Sequence, residues 1–276
     1  MTNDDLLRRA KTDQERRGHL TNTIKKRTLC LRALSRHLGA KSLLEVTRED
    51  IELFLDGRNL SPGSRAGWLS HFHNFYAWAI EEELTSTDPT VRIRRPRLRR
   101  YLPRPACSDQ LLDALCYADP VFRAWIKLAA FQGLRVQEIA GLDVHDVDLT
   151  NRRLRVVQGK GGKERILPLH EDVAEALICL PMPRQGRVFQ RPRGGFYSPA
   201  ELSRVFNLRL AEHGVEATAH QLRHWFATNL YAATGDLRVT QELMGHASPQ
   251  TTAVYAGFSA QAAIDGVGAL TLDAVG

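Results

Sequence analysis

Cysteine is scarce in this chain, and the four residues present stand apart. Cys30, Cys107, Cys116 and Cys179 form no CxxC pair, so neither a zinc ribbon nor a dense disulfide framework is predicted. Reduced thiols with no assigned role are expected. Long apolar runs are also missing: none approaches the roughly 18 residues a membrane span requires. The opening MTNDDLLRRAK is charged where a signal peptide would be apolar. A cytoplasmic protein that does not engage a membrane is expected. Clustered carboxylates are absent as well. Glu138 and Asp143 are isolated acids, which argues against a two-metal nuclease or transposase site.

What the chain does carry is positive charge, unevenly placed. The net charge is +7 over 276 residues. Residues 1–105 hold 21 Lys/Arg against 13 Asp/Glu, whereas residues 106–276 hold 17 against 18. Such asymmetry points to a polyanionic partner held mainly by the first part of the chain. The length suits two domains with their own cores, and the apolar (43%) and charged (25%) fractions are those of a globular protein.

Residues 1–20 are read as a short N-terminal extension, and 21–90 as a helical DNA-binding domain. Thr21, Asn22 and Thr23 are candidate caps for a helix with Ile24, Leu31, Leu34 and Leu38 at helical spacing, closed by Gly39. Thr47 and Asp50 form a capping box before IELFL. Ser61-Pro62 starts a third helix, along which Trp68, Phe72, Tyr76 and Ala79 form an aromatic stripe read as core. DPTVRIRRPRLRRYLPRP (88–105) then packs seven arginines among four prolines. Proline blocks regular helix there, so 91–105 is predicted to be an extended linker. Arg92, Arg94, Arg95, Arg97, Arg99 and Arg100 are candidate phosphate contacts, as are Lys25, Lys26 and Arg27 on the first helix of the domain.

Residues 106–276 read as a mixed domain with a C-terminal tail. Helices are predicted at about 108–117, 120–132, 135–142, 171–180, 198–213, 219–234, 237–245 and 249–257. LRVVQ and ERILPL flank GKGG as a β-hairpin. Four segments concentrate chemistry. GLRVQEIAGL (133–142) places Arg135 at a helix start, VVQGKGGKERILPL (156–169) displays Lys160 and Lys163 on the hairpin turn, HQLRHWFATNL (220–230) sets His220, Arg223 and His224 on one helical face, and LMGHASPQTTAVYAG (243–257) holds His246 nine residues before Tyr255. His220 and His224 have a metal-pair spacing, but position 221 is Gln where HExxH requires Glu. No metal and no cofactor are predicted.

These segments, in this order, resemble the catalytic domain of the tyrosine recombinases, the family of phage integrases and Xer-type resolvases. The resemblance covers roughly residues 106–260, with weaker support from the helical domain before it. It implies a mainly α fold with a small β-sheet: a helical SAM-like core-binding domain, then a mixed α/β catalytic domain. It also implies that Tyr255, Arg135, Lys160, His220, Arg223 and His246 are catalytic, with Glu138 and His224 in support. Lys163 competes with Lys160, but the family's GKGxKER pattern puts its acid at the first Lys. Such an enzyme cleaves and rejoins duplex DNA through a 3′-phosphotyrosine without a metal, on attachment or recombination sites, as a homotetramer in the synaptic complex. The resemblance leaves room for an accessory DNA-bending protein or directionality factor, which the sequence does not name. The main expectation is a phage or mobile-element integrase of compact form; the alternatives are a Xer-type chromosome or plasmid resolvase, or a non-catalytic DNA-binding regulator of the same fold. The chemistry alone would also suit a type IB topoisomerase, which the small N-terminal domain disfavours.

Overall fold

The computed structural model describes residues 1–97, 106–157 and 164–245. The chain divides into two compact units, Met1–Arg100 and Tyr101–Gly276. Its described residues are mainly helical with one small sheet, as the resemblance implies. No helix among them is long and apolar enough to cross a membrane.

The first unit contains α1 (Asn3–Arg16), α2 (Thr21–Leu38), α3 (Arg48–Asp56) and α4 (Pro62–Glu81). Helix α1 replaces the expected N-terminal extension. The Thr2 hydroxyl accepts from the Asp5 N–H while the Asp5 carboxylate accepts from the Thr2 N–H, closing a capping box. Leu6, Leu7 and Ala10 are buried in the unit's core. Asn3 ties the helix in place, donating to the Ser35 hydroxyl and the Lys41 carbonyl and accepting from the Leu43 N–H. Helix α2 already includes Thr21, Asn22 and Thr23, so none of these expected caps serves as one: Leu20 precedes the first turn and supplies no side-chain hydrogen bond. The caps at Thr47 and Ser61 form as expected. Along α4, Phe72, Tyr76 and Ala79 are buried, with Trp68 packed at the edge, so the aromatic stripe is core. The region read as linker begins inside this unit, because Ile93 is buried in the same core. Asp88 fixes that turn by accepting from the Thr90 N–H and hydroxyl.

The second unit contains α5 (Ser108–Tyr117), α6 (Pro120–Ala130), α7 (Val136–Gly141), β1 (Val147–Asp148), β2 (Arg153–Val156), β3 (Arg165–Pro168), α8 (Glu171–Ile178), α9 (Pro199–Glu212), α10 (Ala219–Thr234) and α11 (Leu237–Met244). The strands form an antiparallel sheet in the order β1-β2-β3, with Leu154 opposite Leu167 and Val156 opposite Arg165. Helix α6 is central. It is buried at seven positions from Phe122 to Ala130, because it packs against α5, α7, α8, α9 and α10 and so has apolar residues on most of its circumference. Trp125 meets Phe189, Tyr197 and Phe206 at 5.6–6.1 Å between ring centres. This core fixes the start of α7, the buried face of α10 and the end of α11, which together carry the site.

Candidate active site

Two backbone features build the site. The chain enters α7 through Gly133, whose φ is +65°. A Cβ there would lie 2.4 Å from the Phe226 ring, so only glycine permits both the turn and the approach to α10. Helix α11 ends at Gly245, also left-handed at φ +59°. Between these glycines stands Glu138, on the first turn of α7, with its side chain fully buried.

Three arginines converge on that carboxylate. Arg135 donates from its backbone N–H to Oε2 and from Nη1 to Oε1, both at 2.8 Å. Arg165, on β3, forms a bidentate pair at 2.9 and 3.0 Å, the fork geometry for which arginine is suited. Arg223, on α10, brings Nη1 to 3.7 Å. Its side chain is 2% exposed; the same Nη1 donates to the Gly133 carbonyl and Nη2 to the Met244 carbonyl. Burial pushes the Glu138 carboxyl up, but the hydrogen bonds and charge of Arg165, the Arg135 N–H and the charge of Arg223 outweigh it and hold the group below the ordinary carboxylate range. The ionised carboxylate therefore offsets part of a concentrated positive charge and orients the groups that bear it.

Arg135, His220 and Arg223 line one cleft of about 330 Å³, together with Gln137 and Ser203. The rings of His220 and His224 meet edge-on at 4.5 Å. Packing around the His220 ring, then the positive charges of Arg223 and Arg135, hold its pKa below the usual histidine value. For His224 burial acts first, then His220 and Arg223, lowering the pKa to about 4. Both rings are neutral at pH 7, so His220 can accept a proton. A pair of arginine forks beside a neutral imidazole can bind a phosphodiester and move a proton near it. Among the described residues no three His, Cys, Asp or Glu side chains converge as metal ligands.

Of the sequence-predicted site residues, Arg135, Glu138, His220, Arg223 and His224 are thus brought together. Lys160, His246 and Tyr255 lie outside the described residues, as do the competing Lys163, the helix predicted at 249–257, Arg99 and Arg100. Arg92, Arg94, Arg95 and Arg97 are exposed in the first unit, as are Lys25 and Lys26 on α2. Arg27, expected beside them as a phosphate contact, is instead committed within the unit: it donates to Gln14 Oε1 at 2.9 Å and Asn74 Oδ1 at 3.0 Å, tying α2 to α1 and α4. Arg165 was not among the predicted residues. Strand alternation carried its signal, because Arg165 shares a face with Leu167, and that face is the buried one.

Residues 105–261 match the model of the phage integrase family. The chain is 35% identical over 270 residues to tyrosine recombinase XerD of Proteus mirabilis, covering 86% of this chain and 83% of that relative. It is 30% identical over 253 residues to tyrosine recombinase XerC of Actinobacillus pleuropneumoniae serotype 7 (strain AP76), covering 86% and 82%. In fold it is similar to the Tn1549 transposon integrase (residues 82–397) solved with transposon right end DNA, at a TM-score of 0.75, 19% identity, and coverage of 98% of this chain and 100% of that one.

Proposed function

Because the chain belongs to the phage integrase family of tyrosine recombinases, we propose that it cleaves and rejoins duplex DNA at specific sites through a covalent bond to Tyr255. The observation that carries this reading is the buried carboxylate of Glu138, which gathers Arg135 and Arg223 beside His220. In the proposed step the Tyr255 oxygen attacks the scissile phosphorus and its proton passes to His220. A 3′-phosphotyrosyl ester forms as the bond to the 5′-oxygen breaks, and that oxygen takes a proton from Lys160. Arg135 and Arg223 bind the non-bridging oxygens where negative charge grows, and His246 donates a further hydrogen bond. Glu138 and His224 support the set. Rejoining is the same step in reverse, with a free 5′-hydroxyl as the nucleophile. No step requires a metal or a cofactor.

Double-stranded DNA is the proposed partner. Lys25, Lys26 and the arginines from Arg92 to Arg100 neutralise its phosphates, and a homotetramer acts on two sites. An accessory bending protein or directionality factor belongs to the same proposal. For the biological role, integration of a mobile element remains the reading taken from the sequence. The XerC and XerD names of the curated relatives favour resolution of chromosomes or plasmids. Sites on separate molecules against repeated sites within one circle distinguish the two. The chemical test is incubation with nicked suicide duplexes in EDTA, followed by denaturing gels. A covalent adduct is expected from the unchanged protein and none from Tyr255→Phe. Binding of a cognate site without an adduct overturns the enzymatic reading in favour of a DNA-binding regulator.

A further inference from the structure

The last turn of α11 is held in an unusual way. A helix leaves its final carbonyls without intrahelical partners. Here three successive ones are each taken by a different guanidinium: Leu243 by Arg165 Nε at 3.1 Å, Met244 by Arg223, and Gly245 by Arg135 Nη2 at 3.1 Å. All three guanidiniums also face Glu138. Arg135 and Arg223 are already assigned to the phosphate. Arg165 is not, and its side chain bonds both carboxylate oxygens while holding a carbonyl of α11. Its side chain is 12% exposed. The absence of a side chain at Gly245 makes room for it, because a Cβ there would stand 2.9 Å from Arg165 Nη1.

We propose that Arg165 is a positioning residue for the recombination reaction, joining β3 to Glu138 and to the end of α11 so that Arg135 and Arg223 keep their forks in place. The argument rests on the recombinase reading. Without Arg165, Glu138 would have Arg135 and Arg223 as its remaining guanidinium neighbours. An under-neutralised carboxylate in a buried site draws the nearest cations toward itself, and here those are the two forks that must face the phosphate. The Leu243 carbonyl would lose its donor at the same time, loosening the end of α11. Affinity for DNA would be little affected, since the Arg165 side chain is only 12% exposed and its donors are committed to Glu138 and the Leu243 carbonyl. The loss would fall on the cleavage step, where sub-ångström placement matters most.

The test compares Arg165→Lys and Arg165→Met with the unchanged protein. It reads DNA affinity, thermal midpoint and the single-turnover rate of adduct formation on a suicide duplex. Lysine keeps the charge but has one point-like ammonium in place of a fork, so it cannot bond both carboxylate oxygens and the Leu243 carbonyl with the same geometry. Arg165→Lys is expected to fold and to bind DNA within about twofold of the unchanged protein, yet to form adduct about tenfold to a hundredfold more slowly, the range for losing hydrogen bonds to a charged group. Arg165→Met is expected to be slower still; if it does not fold, the lysine variant decides. A folded Arg165→Lys that forms adduct at the unchanged rate overturns the proposal, as does a rate loss matched by an equal loss of DNA affinity. If the unchanged protein forms no adduct on a cognate site, the recombinase reading fails and this inference fails with it.

Discussion

Arg223 and Arg94 carry the same guanidinium into opposite surroundings. Arg223 is buried on α10 with carbonyls and a carboxylate around it. Arg94 is exposed beyond α4, in a run with Arg92, Arg95 and Arg97. None of those four pairs with a carboxylate among the described residues. Arg223, bonded to two carbonyls and set beside Glu138, has given up its conformational freedom on folding, so on the proposed reading it would meet a phosphate already oriented. The exposed ones keep that freedom, and on the same reading they would act through charge density, which salt screens. Arginine would then serve chemistry where the guanidinium is pinned and affinity where it is loose.

The strongest way to break this contrast is to remove the anion that makes the buried set tolerable. Glu138→Ala leaves Arg135, Arg165 and Arg223 around a site with no countercharge, and stripping one partner from a buried ionic network costs about 3–5 kcal/mol. Urea unfolding is expected to register a loss of that size. The control is Glu242→Ala on α11, which breaks the Arg238–Glu242 pair at 2.7 Å, where the side chains are 80% and 61% exposed. That loss should be far smaller, because a solvent-exposed pair contributes little to stability. Equal losses at the two positions would dissolve the distinction between pinned and loose arginines.

How far the sequence revealed this arrangement follows from what each signal depends on. The helices of the second unit were legible because their apolar spacing and caps are local, as with Ser198-Pro199 before α9 and Thr218 before α10. Arg135, His220 and Arg223 were legible through their motifs. The role of Glu138 as a common counter-ion was not, because it depends on three elements meeting: α7, β3 and α10. Strand alternation put Arg165 on the buried face of β3, but the carboxylate it meets there depends on that same convergence. Helix α1 was missed because its apolar face is short and set among charges, although Thr2 and Asp5 marked its start. Arg27 was read as a surface cation since spacing alone does not reveal that Gln14 and Asn74 stand within reach.

A weaker effect sharpens the comparison by showing that the buried charge acts beyond its hydrogen bonds. His224 owes its low pKa to burial first, and then to His220 and Arg223. In the unfolded chain such a ring gains its proton near pH 6.5, whereas in the fold it stays neutral to about pH 4. The unfolded state therefore binds more protons between those values, so stability is complete above pH 6.5 and falls as the pH drops through the window. Thermal midpoints taken from pH 7 to pH 5 are expected to decline, and to decline less in His224→Gln. An identical decline in that variant would remove His224 as a source of the effect.

The smallest effect belongs to the exposed arginines, and its form matters more than its size. Each phosphate contact contributes roughly 0.9 to the slope of log affinity against log salt. Arg94→Ala is therefore expected to lower the slope by about that amount and to weaken binding only a few-fold at moderate salt. The loss should be the same for cognate and unrelated duplexes, since a phosphate contact carries no sequence information. At saturating DNA the rate of adduct formation should not change. A variant that bound normally but cleaved slowly would place Arg94 with the pinned arginines. An unchanged salt slope would remove it from the DNA interface and leave the charge asymmetry between the two parts of the chain to be carried by Lys25, Lys26 and the rest of the run.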